Sequence, residues 1–270
     1  MAIMSSATSV SDFQPRLASP ATGVIVTGGA SGLGRASAEA LAAVGRPVAL
    51  WDIDGDGAKA VAEAIIRDHG VQAIGITADL AHALAIGPAA RATRAALPAI
   101  GGIVHAAGVS GGRTGIDALT VANWDMVMGL HVRAAMLIVQ AFHDDLRRNP
   151  GSAVVLVGSI NASLGNGNVP AYTAAKGGVI ALGKSLADAL ADDGIRVNTI
   201  SPGMIATPMM EQAMPTAAIR SATVRRILLG RMGEAAEIGR AVRFLLSDEA
   251  SYVTACELVV DGGNITSQRH

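Results

Sequence analysis

Tyr172 and Lys176 are the residues whose types and spacing most directly indicate chemistry. They stand four residues apart in an Ala-rich segment that predicts a helix, so both side chains would share one face. A free phenol has a pKa of about 10, too high for a base at neutral pH, but a nearby ammonium favours the phenolate. The pair therefore predicts a general acid–base centre. A structural tyrosine near an exposed lysine is the alternative that this spacing alone leaves open.

Ser159 strengthens the prediction for Tyr172 and Lys176. It follows the uncharged segment 153–157, which predicts a strand, and ligands of parallel sheets bind at the carboxyl ends of the strands. A hydroxyl in that place is able to hold a substrate oxygen. A serine that only caps a turn is the alternative.

A glycine-rich turn, residues 26–34, lies between a predicted strand at 24–26 and a predicted helix at 34–44. Glycines allow the backbone to approach a pyrophosphate, whose anions are stabilised by the free N–H groups and the dipole of the helix N-terminus. A tight turn without a ligand is the alternative. The flanking strand and helix are the context that a dinucleotide-binding motif requires.

Asp52 ends the second predicted strand, 48–51. A carboxylate in this place can accept both hydroxyls of an adenosine ribose and repels a 2′-phosphate. Neither Ser31 nor Ile53 supplies a cation for such a phosphate, so the sequence predicts NAD rather than NADP. Asp52 as a solvated turn residue is the alternative. Asp79, after the third predicted strand, is similarly placed to meet the adenine edge.

Short β-branched runs alternate with Ala-rich segments of helical spacing along the chain. The predicted strands are 24–26, 48–51, 73–77, 103–104, 153–157, 196–200 and 258–260. Strands that are apolar throughout are expected where helices cover both faces of a parallel sheet. We therefore predict an α/β fold with a doubly wound, Rossmann-like parallel sheet.

Length, charge and composition limit the classes of protein. A chain of 270 residues fits one domain, which we expect at 21–270 after a flexible extension at 1–20 that lacks the apolar region of a signal peptide. A net charge of −1 offers no positive excess for nucleic acid. The single Cys256 agrees with a reducing compartment, so we expect the cytoplasm. Gly, Pro and Asn interrupt the uncharged stretches 95–112 and 149–175, so we expect no membrane segment.

These features together resemble the classical short-chain dehydrogenase/reductase family from about Gly23 to Gly263. Four motifs carry the likeness: the turn Thr27-Gly28-x-x-x-Gly32-x-Gly34, the triad Ser159, Tyr172 and Lys176, the sixth-strand signature at 196–203, and the closing Val260-Asp261-Gly262-Gly263. The resemblance covers nearly the whole chain.

The resemblance implies a hydride exchanged between nicotinamide C4 and a carbinol carbon. Tyr172 would take or give the hydroxyl proton, Ser159 would stabilise the oxygen, and Lys176 would hold the nicotinamide ribose and lower the Tyr172 pKa. It also implies a homodimer or homotetramer built through two long helices, here expected at 123–147 and 171–191.

The resemblance further implies which residues contact the cofactor, and it implies no metal. The expected contacts are Gly28, Ser31, Gly32, Leu33, Gly34, Asp52, Ile53, Asp79, Leu80, Ala107, Gly108, Tyr172, Lys176, Pro202, Gly203, Ile205 and Thr207. Ile205 and Thr207 match the positions that usually meet the nicotinamide carboxamide.

Two departures from the family pattern are histidines. His105-Ala106-Ala107-Gly108 stands where the family usually has Asn-Asn-Ala-Gly, and we expect little functional change from it. His131 replaces the fourth catalytic residue, an asparagine thought to hold a water that passes protons between the lysine and solvent. A neutral imidazole can donate and accept, and it can titrate near neutral pH. We predict that His131 serves this relay and steepens the pH dependence; a helix histidine satisfied by a backbone carbonyl is the alternative.

Substrate selectivity is expected in the loops 109–119, 160–170 and 204–229. Met204, Met209, Met210 and Met214 indicate either an adaptable apolar wall or the core packing of a lid helix. We expect a small or medium, mainly apolar secondary alcohol or ketone. A reductase of acyl-carrier or coenzyme A thioesters and an NADH-binding sensor without turnover remain as alternatives.

Overall fold

The apolar runs of the sequence form the strands of one central sheet in the computed structural model, which describes residues 14–214 and 216–269. The strands are β1 (Gly23–Thr27), β2 (Val48–Asp52), β3 (Ala73–Thr77), β4 (Ile100–His105), β5 (Ala153–Val157), β6 (Arg196–Pro202), β7 (Ile205–Ala206), β8 (Gly233–Glu234) and β9 (Glu257–Val260). The helices are α1 (Gly32–Ala42), α2 (Gly55–His69), α3 (Ile86–Ala96), α4 (Val121–Met128), α5 (Ala134–Arg148), α6 (Asn161–Leu164), α7 (Pro170–Ala189), α8 (Pro208–Ala213), α9 (Ala217–Arg225) and α10 (Ala235–Leu245).

Seven strands pair in parallel in the order β3-β2-β1-β4-β5-β6-β9. The chain leaves β3 at one edge and returns to the middle as β4, so the strand order reverses between β1 and β4. Ligands of open α/β sheets bind in the crevice at such a reversal, beyond the carboxyl ends of the strands. The predicted doubly wound, Rossmann-like fold is confirmed.

The main differences from the predicted elements concern their ends. β4 begins at Ile100 rather than at 103, and α2 begins at Gly55 rather than at 57. A separate two-stranded sheet, β7 with β8, was not expected from the sequence. Its strands have only two residues each, too few to show a hydrophobic period.

The two faces of the sheet bury two separate cores. Ile25 and Ile103 face one side, where they pack with residues of α3, α5 and α7. Val26 and Val104 face the other side, where they pack with residues of α1, α2 and α10. Successive side chains of a strand point to opposite faces, so burial on both sides requires the uninterrupted apolar runs seen in the sequence.

The stretch Val121–Arg148 is long and apolar enough to cross a membrane by length and composition alone. It contains α4, a π-helical turn at Gly129–Arg133 and α5, so the helix expected at 123–147 is interrupted by this turn. Ile138 and Phe142 are fully buried against the sheet. This is the packing of a core helix in a soluble α/β fold.

The N-terminal segment contacts the turn after α10. The Arg16 backbone N–H donates to the Glu249 carboxylate at 2.7 Å, and the Asp248 N–H donates to the Ser19 carbonyl at 2.7 Å. Of the extension expected at 1–20 to be flexible, residues 1–13 lie outside the described residues. Its flexibility therefore stays a prediction.

Candidate active site

The glycine turn brings β1, α1 and the loop after β4 into close contact. Gly28 has a φ of 68°, and a Cβ on it would lie 3.0 Å from the Ala107 backbone nitrogen. A Cβ on Gly34 would lie 2.0 Å from the Gly28 carbonyl oxygen, a distance that no side chain permits. Glycine is therefore required at both positions for the turn to close.

The N-terminus of α1 leaves backbone N–H groups available to an anion. Ser31 precedes the helix in an extended conformation and makes no capping hydrogen bond with its side chain, and the first turn contains no acidic residue. Thr207 lies beside the same turn, 3.9 Å from where a Gly32 Cβ would stand. The free N–H groups and the helix dipole fit the pyrophosphate of a dinucleotide.

Asp52 lies at the carboxyl end of β2, where its side chain meets the glycine turn. One carboxylate oxygen accepts from the Ala30 N–H at 3.0 Å and the other from the Asp54 N–H at 3.0 Å. Each oxygen has a second lone pair, so the oriented carboxylate can still accept ribose hydroxyls. Ile53 beside it is 68% exposed and offers no cation.

The other residues expected to contact the cofactor surround this crevice or lie just beneath it. Asp79 follows β3 and accepts from the Ala81 N–H at 3.0 Å. Leu80 is buried in the core on one face of the sheet, whereas Leu33 is half-buried and packs against the core on the other face. At the other end, the Gly203 N–H donates to the Val260 carbonyl at 3.0 Å, which holds the chain after Pro202 against the end of β9.

Ser159, Tyr172 and Lys176 converge beyond the end of β5. Ser159 is 8% exposed, and its oxygen accepts from the Asn161 N–H at 3.2 Å. Pro170 begins α7, a position that suits proline because its missing N–H has no helical partner there. One turn after Tyr172 in this helix, Lys176 donates to the Val157 carbonyl at 2.6 Å, with its nitrogen 5.5 Å from the centre of the Tyr172 ring.

Burial is the largest influence on the pKa values of Lys176 and Tyr172. It lowers the pKa of Lys176 to about 7. Burial also raises the pKa of Tyr172, and the hydrogen bond with the Ser159 hydroxyl opposes this rise. In the protein alone the net direction is therefore upward, because desolvation of the phenolate is the largest cause. The lowering of the Tyr172 pKa by Lys176 in the cofactor-bound site stays a prediction.

His131 lies in the π-helical turn and packs against Tyr172. Its Nε2 is 2.9 Å from the Val109 carbonyl oxygen, and its ring meets the Tyr172 ring edge-on at 5.5 Å between centroids. Burial, followed by the nearby Lys176 charge, lowers the His131 pKa well below 6.5. The expectation that His131 titrates near neutral pH is therefore wrong, because its imidazole is already neutral there.

His105 is a site residue whose importance was missed in the sequence. Its Nδ1 is 3.0 Å from the Thr27 hydroxyl, and its Nε2 is 3.1 Å from the Leu130 carbonyl oxygen. Burial lowers its pKa to about 4. It thus connects the glycine turn with the π-helical turn that carries His131. The departure from the family's asparagine was the only signal in the sequence.

Two of the three loops expected to select the substrate contact each other. The Gly115 N–H donates to the Asn168 carbonyl at 3.2 Å and so joins the loops after β4 and β5. Met214 is 5% exposed, as expected for core packing, whereas Met209 is 44% exposed. The methionines therefore divide between the two roles considered for them.

Comparison with known proteins gives matches over nearly the whole chain. A family model described as Enoyl-(Acyl carrier protein) reductase matches residues 28–264. Levodione reductase of Leifsonia aquatica is 35% identical over 247 residues, which cover 89% of this chain and 92% of that protein. Cyclopentanol dehydrogenase of Comamonas sp. (strain NCIMB 9872) is 36% identical over 241 residues, covering 89% and 95%. The crystal structure of levodione reductase superposes with a TM-score of 0.85 at 34% identity, covering 91% and 98%.

The matched region contains most of the site. Residues 28–264 include the glycine turn from Gly28 onward, the triad and the segment after β6. The two relatives are named as a reductase and as an alcohol dehydrogenase. The chain therefore belongs to the classical short-chain dehydrogenase/reductase family and is an oxidoreductase that interconverts alcohols and carbonyl compounds with a nicotinamide cofactor.

Proposed function

We propose that the chain is an NAD-dependent dehydrogenase of small, mainly apolar secondary alcohols, with cyclic alcohols such as cyclopentanol as the preferred class. The convergence of Ser159, Tyr172 and Lys176 beside the glycine turn carries this proposal. The name of the cyclopentanol dehydrogenase supports the cyclic class. Met204 and Met210, both half-buried at the substrate side, offer the apolar contacts that such rings need.

The chemistry divides among the three side chains. The Ser159 hydroxyl donates to the substrate oxygen and orients it toward Tyr172. Tyr172 takes the hydroxyl proton during oxidation and returns it during reduction. A nicotinamide held beside it would supply the hydride chemistry. In its charged form Lys176 stabilises the phenolate that forms at Tyr172. The glycine turn, the N-terminus of α1, Asp52 and Thr207 hold the cofactor.

His131 is proposed to relay the proton away from the centre. Nε2 lies 2.9 Å from the Val109 carbonyl oxygen and 3.3 Å from the Val109 backbone nitrogen. Because the shorter contact is to an acceptor, we assign the proton to Nε2, and Nδ1 retains its lone pair. Nδ1 has no hydrogen-bond partner within residues 14–214 and 216–269. A buried acceptor without a partner is costly unless a water satisfies it. We assign to Nδ1 the binding of the water that passes protons from Lys176 to solvent.

A substrate panel tests the reaction. Absorbance of NADH should report oxidation of cyclopentanol and related ring alcohols with NAD, at a kcat/KM at least about tenfold above that for linear primary alcohols, since a primary alcohol leaves part of the apolar wall uncovered. Faster turnover of a 3-oxoacyl thioester with NADPH would instead establish the thioester reductase. Tight NADH binding without turnover of any alcohol or ketone would establish the sensor.

Preference for NAD is tested at Asp52. Wild type should bind NADH about 10 to 100 times more tightly than NADPH, since hydrogen bonds to a charged group contribute about 1.5–3 kcal/mol. Asp52→Ser should remove most of this preference in fluorescence titrations of both cofactors. Asp54→Ser is the matched control, because the Asp54 carboxylate caps α2 through the Gly57 N–H at 2.9 Å. An unchanged preference in Asp52→Ser would show that the carboxylate does not select the cofactor.

The same proposal includes a homodimer or homotetramer in the cytoplasm. A groove of about 600 Å³ runs along α4, α5 and α7, with Met128, Val132 and Leu182 among its lining residues. Trp124 and Met136 on the same helices are each 38% exposed. Exposed apolar side chains grouped on one face favour an interface with a second copy of the chain, which would bury them.

A further inference from the structure

The hydrogen bonds around Thr27 determine which nitrogen of His105 carries the proton. The Thr27 oxygen accepts from the Ala106 N–H at 3.1 Å and from the Ala107 N–H at 3.0 Å. These two bonds use both lone pairs of the hydroxyl, so its single proton must point to the third neighbour, His105 Nδ1, at 3.0 Å. Nδ1 is therefore an acceptor, and the neutral imidazole carries its proton on Nε2.

The proton on Nε2 of His105 connects the sheet to the π-helical turn. Nε2–H donates to the Leu130 carbonyl at 3.1 Å. Leu130 directly precedes His131, and both lie in the turn Gly129–Arg133, where one extra residue interrupts the regular helical hydrogen bonds. A carbonyl bound from outside the helix restrains such a turn. The orientation of His131 thus depends on a side chain that follows β4.

The loop after β4 shapes the other side of His131. A Cβ on Gly108 would lie 2.2 Å from the Cε1 atom of His131, so only glycine leaves room for the imidazole. Val109 then accepts from Nε2 at 2.9 Å. His105, Gly108 and Val109 belong to one continuous segment, which determines both the backbone and the ring orientation of His131.

We propose that His105 is a positioning residue that holds His131 against Tyr172 through the Leu130 carbonyl. The two histidines then act as a coupled pair, because His105 determines the position of the His131 ring and therefore of its Nδ1 atom. The functional part of this inference rests on the proposed relay role of His131. It reverses the expectation that a histidine at position 105 changes little.

The tautomers of the two rings can be measured without turnover. Nitrogen NMR of protein labelled with ¹⁵N-histidine should show His105 and His131 as neutral rings protonated on Nε2 at pH 7, each with Nδ1 as an acceptor. In the His105→Asn variant, the nitrogen resonances of the His131 ring should shift or broaden. A His105 ring that is charged or protonated on Nδ1 would overturn the proposal, even if the variant fails to fold.

A double-mutant cycle tests the coupling in catalysis. His105→Asn should lower kcat about tenfold with little change in the KM for the alcohol, because a misplaced relay group slows proton transfer without weakening substrate binding. In the His131→Phe background, which keeps a ring but removes both ring nitrogens, the same substitution should cause no further loss. His143→Gln is the control, since His143 pairs with Asp193 on the outer side of α5.

Each outcome of the cycle decides one of the two proposals. Equal losses from His105→Asn in both backgrounds would show a purely structural role and overturn the positioning of His131. Wild-type turnover in His131→Phe would overturn the relay role. In that case the ring shifts decide the positioning: shifts of His131 unchanged by His105→Asn would overturn it as well.

Discussion

Tyr172→Phe is expected to lose more than about a hundredfold in turnover, because it removes the hydroxyl that takes the substrate proton during oxidation and returns it during reduction. The substitution keeps the ring and therefore its contact with His131, which places the two rings 5.5 Å apart. NADH binding should persist within about threefold, because the glycine turn and Asp52 are untouched. Turnover is followed by NADH absorbance and binding by NADH fluorescence.

Tyr252→Phe is the matched control for this prediction. Tyr252 is fully exposed and is not among the residues expected to transfer a proton, so its variant should keep wild-type turnover. If Tyr172→Phe turns over like wild type on a substrate of the panel, Tyr172 is not the acid–base residue. If it loses NADH binding to the same extent as turnover, the defect lies in the site as a whole.

Lys176→Met is expected to abolish turnover and yet to stabilise the protein, most strongly at low pH. The pKa of Lys176 is lowered from 10.5 to about 7 by burial, so the folded state penalises its charge. This penalty is on the order of 5 kcal/mol at 1.36 kcal/mol per pKa unit. Loss of the charged hydrogen bond to the Val157 carbonyl offsets about 1.5–3 kcal/mol of the gain. A net gain of about 2–3 kcal/mol is expected below pH 7.

The pH dependence of this gain has a definite sign. Below pH 7 both the folded and the unfolded states bind the proton, and the full penalty of the buried charge applies. Between pH 7 and 10.5 the unfolded state binds more protons, so the stability contributed by this group rises with pH until the penalty disappears.

Denaturant unfolding of both proteins without cofactor measures this difference. The stability advantage of Lys176→Met over wild type should shrink steadily from pH 7 to pH 10. Lys184→Met, on the exposed side of the same helix, is the matched control and should show no such trend. An advantage that is constant with pH would mean that Lys176 is not the buried, easily deprotonated group described above.

Local physics in the sequence was enough to predict the parts from which the site is built. Apolar runs predicted the seven strands of the main sheet, since a strand buried on both faces must be apolar throughout. The glycine turn and the helical spacing of Tyr172 and Lys176 were also evident, because each depends on residues within a few positions of one another. The family resemblance then related Ser159 to them.

Only the tertiary structure decided how those parts act on one another. The direction in which the Tyr172 pKa shifts depends on desolvation, and the desolvation depends on every element packed around the side chain. The neutral state of His131 and the link from His105 to Leu130 depend on contacts between residues more than 20 positions apart. Composition and periodicity carry no information on such contacts, because these arise when the β4 loop and the π-helical turn are brought together by the sheet.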